Sequence, residues 1–175
     1  MSETELGDET LVEHANRGDE AAFEAIYRRH RDWVLRLAWR FTGDRDEALD
    51  VLQDAFAHLF GKFPGFVLTG SLRGYLYPTV KHLSITRARR ARPTVDIDLL
   101  ADRLPSPTAP AGDSAAELAG DVAALPAAQR HVILLRFAHD LSLQEIAVAL
   151  AIPLGTVKSR LHNALDALRR RRAGR

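Results

Sequence analysis

Apolar residues recur at spacings of three and four along most of this chain, the period of helices with one buried face. No stretch reads as a strand. A short helix is predicted at 10–16 and is broken at Gly18-Asp19. A longer helix follows over 20–41, with Phe23, Ile26, Tyr27, His30, Val34, Leu37, Ala38 and Phe41 as a wide inward stripe. On that stripe His30 reads as a packed histidine rather than a ligand. Thr42-Gly43-Asp44 ends the helix, and Asp44 with Glu47 has the spacing of a capping box. A third helix, 45–60, buries Ala48, Val51, Leu52, Ala55, Phe56 and Leu59 and shows Glu47, Asp50, Gln53 and Asp54 outward. Residues 61–70, GKFPGFVLTG, form a loop by their Gly and Pro content. Ser71 caps a fourth helix, 72–90, with Leu72, Leu76, Val80 and Leu83 inward and Pro78 as an expected kink.

The pattern then fails. Residues 91–113 hold four prolines among small and acidic residues and read as a flexible linker. Helical spacing resumes at 114–125, with Leu118, Val122 and Leu125 inward, and at 127–137, with Val132, Ile133, Leu135 and Phe137. Two helices with a tight corner follow. Ser142 and Glu145 form a capping box for the first, which ends at Leu150. Pro153 suits the start of the second, whose Val157, Leu161, Ala164, Leu165 and Leu168 face inward. The corner residue is Ala151, where a left-handed turn would cost about 1 kcal/mol more than for Gly. The fold class is therefore all-α: two small helical domains on a flexible linker, at 1–92, 93–113 and 114–175, the second with a helix–turn–helix.

The outer face of the last helix carries Thr156, Lys158, Ser159, Arg160, His162 and Asn163, all able to donate and none acidic. Phosphates and base edges mostly ask for donors, and a helix–turn–helix lays its second helix in the major groove. Net charge is only +1 over 175 residues, but basic residues cluster at 81–92 and 169–175, as two contacts with a polyanion would require. Phe63 and Phe66 beside Lys62 are the residue types that stack on unpaired bases, and equally those that pin a loop to a core. The absence of cysteine removes disulfides, thiol catalysis and Cys-based zinc sites. No apolar run approaches 18 residues, so no membrane insertion is expected. The groups His131 with His139, and Asp44, Asp46 and Asp50, suit caps and solvated faces better than a hydrolase centre.

Two regions together resemble an extracytoplasmic-function sigma factor of the sigma-70 family. FEAIYRRHRDWVLRLAWRFTGDRDEALDVLQDAFAHLF with SLRGYLYPTVKHLSITRARRAR looks like region 2. LPAAQRHVILLRFAHDLSLQEIAVALAIPLGTVKSRLHNALDALR looks like region 4. The resemblance implies a cytoplasmic transcription initiation factor, not an enzyme and without cofactor. It would bind core RNA polymerase and promoter DNA and help open the duplex. An anti-sigma factor that clamps the two domains is a further partner type in this family. The resemblance implies a polymerase-binding face at Asp50, Gln53 and Asp54. It places −10 contacts at Lys62, Phe63, Phe66, Arg73, Tyr75, Lys81, His82, Arg87 and Arg90. It assigns −35 base contacts to Lys158, Ser159, His162 and Asn163, and phosphate contacts to Thr156 and Arg160. Tyr75, His82 and Thr86 stand where the family usually has Trp, Asn and Asp, and Ala151 where it has Gly. The rival from another class is a regulator that uses only the C-terminal domain. It would bind an operator without polymerase.

Overall fold

The computed structural model describes residues 6–91 and 113–173. Helix is the regular structure of these residues, and the chain divides into two compact units, Met1–Ile97 and Asp98–Arg175. The expected linker lies outside the described residues, apart from Asp113, which begins a helix.

The first unit contains α1 (Asp8–Asn16), α2 (Glu20–Thr42), α3 (Arg45–Phe60) and α4 (Leu72–Ala91). Helices α2, α3 and α4 pack on one another and α1 lies on α2. Ile26, Val34, Ala38, Val51, Ala55, Leu59, Leu72, Leu76 and Val80 are fully buried, as their spacing predicts. Trp33 and Tyr77, which the apolar stripes omit, are buried as well. Burial of a large apolar side chain stabilises by about 1.5–3 kcal/mol, so these two rings matter to the core.

Helix α1 starts two residues before its predicted position, and polar contacts explain the extension. Arg29 donates to Asp8 at 2.8 Å and to the Leu6 carbonyl at 2.6 Å. The buried His30 places Nε2 3.2 Å from Asp8. Burial alone would push the Asp8 carboxyl up. The hydrogen bond and charge of His30, followed by those of Arg29, outweigh burial and hold it below its ordinary value.

The helix ends follow from single residues. Asp19 accepts from the Ala21 amide at 3.0 Å and caps α2. Gly43, at φ 67°, closes α2 in the left-handed region. Asp44 accepts from the Asp46 and Glu47 amides at 2.9 and 3.0 Å, the forward half of the expected capping box. The return half is replaced: the Asp44 amide donates to Thr42 Oγ1 at 3.3 Å, because Glu47 is drawn to α4 instead. Ser71 Oγ accepts from the Gly74 amide at 3.1 Å. Helix α4 runs unbroken through the exposed Pro78, where the sequence predicts a kink.

The second unit contains α5 (Asp113–Ala123), α6 (Ala127–Ile133), a π turn (Leu134–Ala138), α7 (Leu143–Leu150) and α8 (Leu154–Ala173). Val122, Leu125, Ile133, Leu134, Ala138 and Ala164 form its core, with Leu161, Leu165 and Leu168 packed against them. Two expected inward residues face outward. Phe137 is 63% exposed, because the π turn rotates it off the core face. The bond from the His139 amide to the Leu134 carbonyl, 3.0 Å over five residues, marks that wider turn and brings His139 inside. Leu118 is also exposed, since only the C-terminal end of α5 joins the core.

Candidate nucleic-acid interface

The corner between α7 and α8 is built from backbone bonds that single residues permit. Ser142 Oγ accepts from the Glu145 amide at 3.2 Å, and Glu145 accepts from the Ser142 amide at 2.7 Å. These reciprocal bonds complete the capping box. At the other end Ala151 adopts φ 51°, ψ 44°. The Ile152 amide reaches the Ala147 carbonyl and the Ala151 amide the Val148 carbonyl, both at 3.1 Å, a Schellman closure on an alanine. The Thr156 and Val157 amides then donate to the Pro153 carbonyl and open α8.

Val157 and Ala164 are fully buried and fix the roll of α8 about its axis. That roll leaves Lys158, Ser159, His162 and Asn163 exposed, with Thr156 and Arg160 half-buried beside them. Ser159 Oγ donates to the Thr156 carbonyl at 3.0 Å. One acid reaches the edge of the donor face: Asp166 lies 3.2 Å from His162 Nε2 and 2.9 Å from Arg169. Arg171 donates to the Ala124 carbonyl at 3.3 Å and so serves the end of α5.

In the first unit, Asp50, Gln53 and Asp54 stand exposed on α3. The structure joins Arg87 to them. Its guanidinium donates to Asp54 at 2.7 Å, to Asp50 at 2.8 Å and to Glu47 at 3.3 Å. The hydrogen bond to Asp54 comes first among the effects that raise its pKa above the ordinary value; partial burial opposes it. Arg87 therefore joins the acidic row in this structure, whereas the family resemblance places it among the expected −10 contacts.

The aromatic residues of the loop are also committed. The Phe63–Pro64 peptide is cis. The Phe63 ring sits 5.1 Å from Phe23 and 5.3 Å from Phe66, and Phe66 sits 4.8 Å from Tyr75. Phe66 is buried, so its ring is no open stacking surface; the core-pinning alternative describes it. Val67, 77% exposed, is an apolar side chain that the loop shows to solvent.

Comparison with known proteins decides the family. The sigma-70 region 2 family model matches residues 26–94, and the sigma-70 region 4 model matches residues 122–170. The ECF RNA polymerase sigma-E factor of Escherichia coli K12 is 30% identical over 189 residues, with 96% of this chain and 95% of that protein covered. The chain belongs to the ECF sigma factors of the sigma-70 family. The ECF RNA polymerase sigma factor SigW of Bacillus subtilis is 29% identical over 174 residues, with 91% of this chain and 93% of that protein covered. A solved structure of CnrH in complex with the cytosolic domain of CnrY shares the fold. Its TM-score is 0.61 at 22% identity, and the match covers 95% of this chain and 97% of that one. As a member of its family, the protein is a promoter-specific transcription initiation factor that acts with RNA polymerase.

The remaining residues that the resemblance expects at −10 are scattered over α4 and its approach. Lys62, His82 and Arg90 are exposed, and Lys81 is half-buried. His82 lines a groove of about 340 Å³ with His58, Pro78, Thr79 and Leu83. The Arg73 guanidinium lies 5.5 Å from the Trp33 ring centroid. One pairing and one residue escaped the sequence reading. Glu47 is recognisable as an acid of the row, but its partner Arg87 is forty residues away. Asn16, which bonds the loop, shows no periodicity or motif that would single it out. No helix of the described residues is long and apolar enough to cross a membrane, and none of their His, Asp and Glu residues group to hold a metal.

Proposed function

We propose that this sigma factor reads a −35 element with α8 and engages the −10 element with the 61–70 loop and α4. Core polymerase would dock on Asp50, Gln53 and Asp54. Residues 1–92 and 114–175 act as the two functional domains, with 93–113 as the tether between them. The observation that carries this reading is the roll of α8. It buries Val157 and Ala164 and turns Lys158, Ser159, His162 and Asn163 to solvent on one face. Donor side chains near the start of a recognition helix are what base edges and phosphates bind. Thr156 and Arg160, half-buried alongside, are suited to phosphate contact.

The protein does no covalent chemistry on this reading. Binding energy shifts duplex DNA toward the open state while polymerase supplies catalysis, and the site of action is the cytoplasm. Each domain raises the local concentration of the other at the promoter, so the free protein binds weakly and the holoenzyme tightly. An anti-sigma factor that covers the α3 and α8 faces would block both functions at once. Run-off transcription with core polymerase on a randomised promoter library tests the assignment. Selection of two separated boxes is expected. Transcription without sequence preference, or tight operator binding by the free protein with no affinity for core polymerase, overturns it.

A further inference from the structure

Asn16, the last residue of α1, spends its side-chain amide on the 61–70 loop. Oδ1 accepts from the Gly65 amide at 2.7 Å and from the Phe66 amide at 3.0 Å. Nδ2 donates to the Phe66 carbonyl at 2.8 Å. A planar amide held at both ends fixes three successive peptide groups of the loop, which an apolar contact cannot do. It does so where the chain is least constrained by rotamers, at Gly65 with φ +103°. Phe63 and Phe66 pin the loop from inside, so the rings set its depth and Asn16 sets its backbone orientation. The matched region 2 segment begins at residue 26, so Asn16 lies ahead of the part of the chain that the family comparison assigns.

We infer that Asn16 is a positioning residue for −10 recognition. It presets the outward edge of the loop, Val67 to Gly70, in the shape that an unstacked base must fit. The inference rests on the proposed role of the loop at the −10 element. A loop that must be ordered by its own ligand binds every sequence more weakly, and because it can also adapt to a wrong base it distinguishes fewer of them; a preset loop penalises the base that does not fit.

The test uses the full chain with core polymerase. Wild type, Asn16→Ala and Asn16→Asp are compared in run-off transcription from one promoter and from single substitutions through its −10 and −35 boxes. Core affinity and thermal melting are measured on the same samples. Asn16→Ala is expected to lose about ten-fold of the discrimination between the best and substituted −10 boxes. Core affinity and −35 discrimination should stay within two-fold of wild type. Asn16→Asp keeps the acceptor for both amides but sets an oxygen against the Phe66 carbonyl in place of the donor, so it should retain only part of the discrimination, more than Asn16→Ala. Its added charge repels all promoters alike and cancels in the ratio.

A uniform fall at every promoter with reduced core affinity would assign Asn16 to folding alone and overturn the inference. Unchanged −10 discrimination in Asn16→Ala would overturn it too. Val67→Ala and Thr69→Ala separate this failure from a deeper one. If they alter −10 discrimination while Asn16→Ala does not, only the positioning role falls. If they also leave it unchanged, the loop is not the −10 reader and the proposed function of that segment falls with it.

Discussion

Helices α4 and α8 both carry cations that a promoter would attract, yet Arg73 and Arg87 of α4 are already engaged while the donors at the start of α8 are not committed beyond their own helix. On α4, Arg87 is bound by Glu47, Asp50 and Asp54, and Arg73 lies over Trp33. On α8, Lys158 and Asn163 are exposed, and the contacts of Ser159 and His162 stay within one turn of their own helix. A charge that is paired inside the molecule must give up that pair before it can serve DNA; an exposed one gives up only water. On the proposed reading, the rear helix is thus suited to side-chain readout, and the front unit would rely more on the shape of a loop and on a face made of acids.

The largest effect is expected where readout is most direct. Lys158→Ala should cost about 1–3 kcal/mol of discrimination at one −35 position. Arg160→Ala should weaken binding to all −35 variants alike and reduce the salt slope by about one. Holoenzyme titrations against a −35 panel at several salt concentrations check both. If the two variants behave identically, α8 does not divide its work between bases and phosphates, and the contrast with α4 loses its stronger half.

Asp8→Asn tests the buried polar anchor of the front unit. Hydrogen bonds to charged groups contribute about 1.5–3 kcal/mol each, and the loss should approach the lower figure because Asn can keep part of the contact. Asp8 has a depressed folded pKa, so its stabilisation is present above the unfolded value near 3.8 and is lost as pH falls through the lower folded value. Melting temperatures of wild type and variant should therefore differ at pH 7 and converge only once pH has fallen through the folded value, which lies below 3.8. A gap that persists there would mean that packing, rather than the ionised carboxylate, is what the variant removes.

What sequence could and could not convey divides along the same lines. Local chemistry was legible: α3 has the bounds predicted for it, and the capping box at Ser142 and Glu145 forms in full. Ala151 occupies the left-handed corner that its position demanded. Contacts between residues far apart were not legible. Arg87 joined a basic cluster by composition, and only the packing of α3 against α4 reveals its three carboxylates. Asn16 meets its loop fifty residues on. Phe137 fits the helical period until a π turn changes the period beneath it. The exposed donor face of α8 was legible because one helix sets it; the packing of the loop was not, because α1, α2, α3 and α4 all hold it.

Ala151→Gly sharpens the rear half of the comparison without touching a DNA contact. Relief of the left-handed alanine should raise stability by about 1 kcal/mol, less the greater freedom of unfolded glycine. Thermal melting of the full chain would report it. Discrimination at −35 should not move, since the corner already has its Schellman bonds with alanine in place. A lower melting temperature would show that the freedom of unfolded glycine, with any contact of the alanine methyl, outweighs the strain.

Arg87→Ala has the smallest expected effect and bears most directly on the front half. Its partners Glu47, Asp50 and Asp54 are 38%, 55% and 48% exposed, so solvent screens each pair and about 1 kcal/mol in total is a fair expectation. The loss should shrink further as salt rises, because partly exposed ion pairs are screened within about 10 Å at 0.1 M. The variant also leaves three like charges on one face of α3 with no cation among them. If that face meets a basic surface of core polymerase, association should quicken at low salt while −10 discrimination stays as it was. A slower association would mean that Arg87 holds the carboxylates in the orientation docking needs. A specific loss at −10 with normal docking would return Arg87 to the DNA contacts and erase the distinction between a spent cation on α4 and the exposed ones on α8.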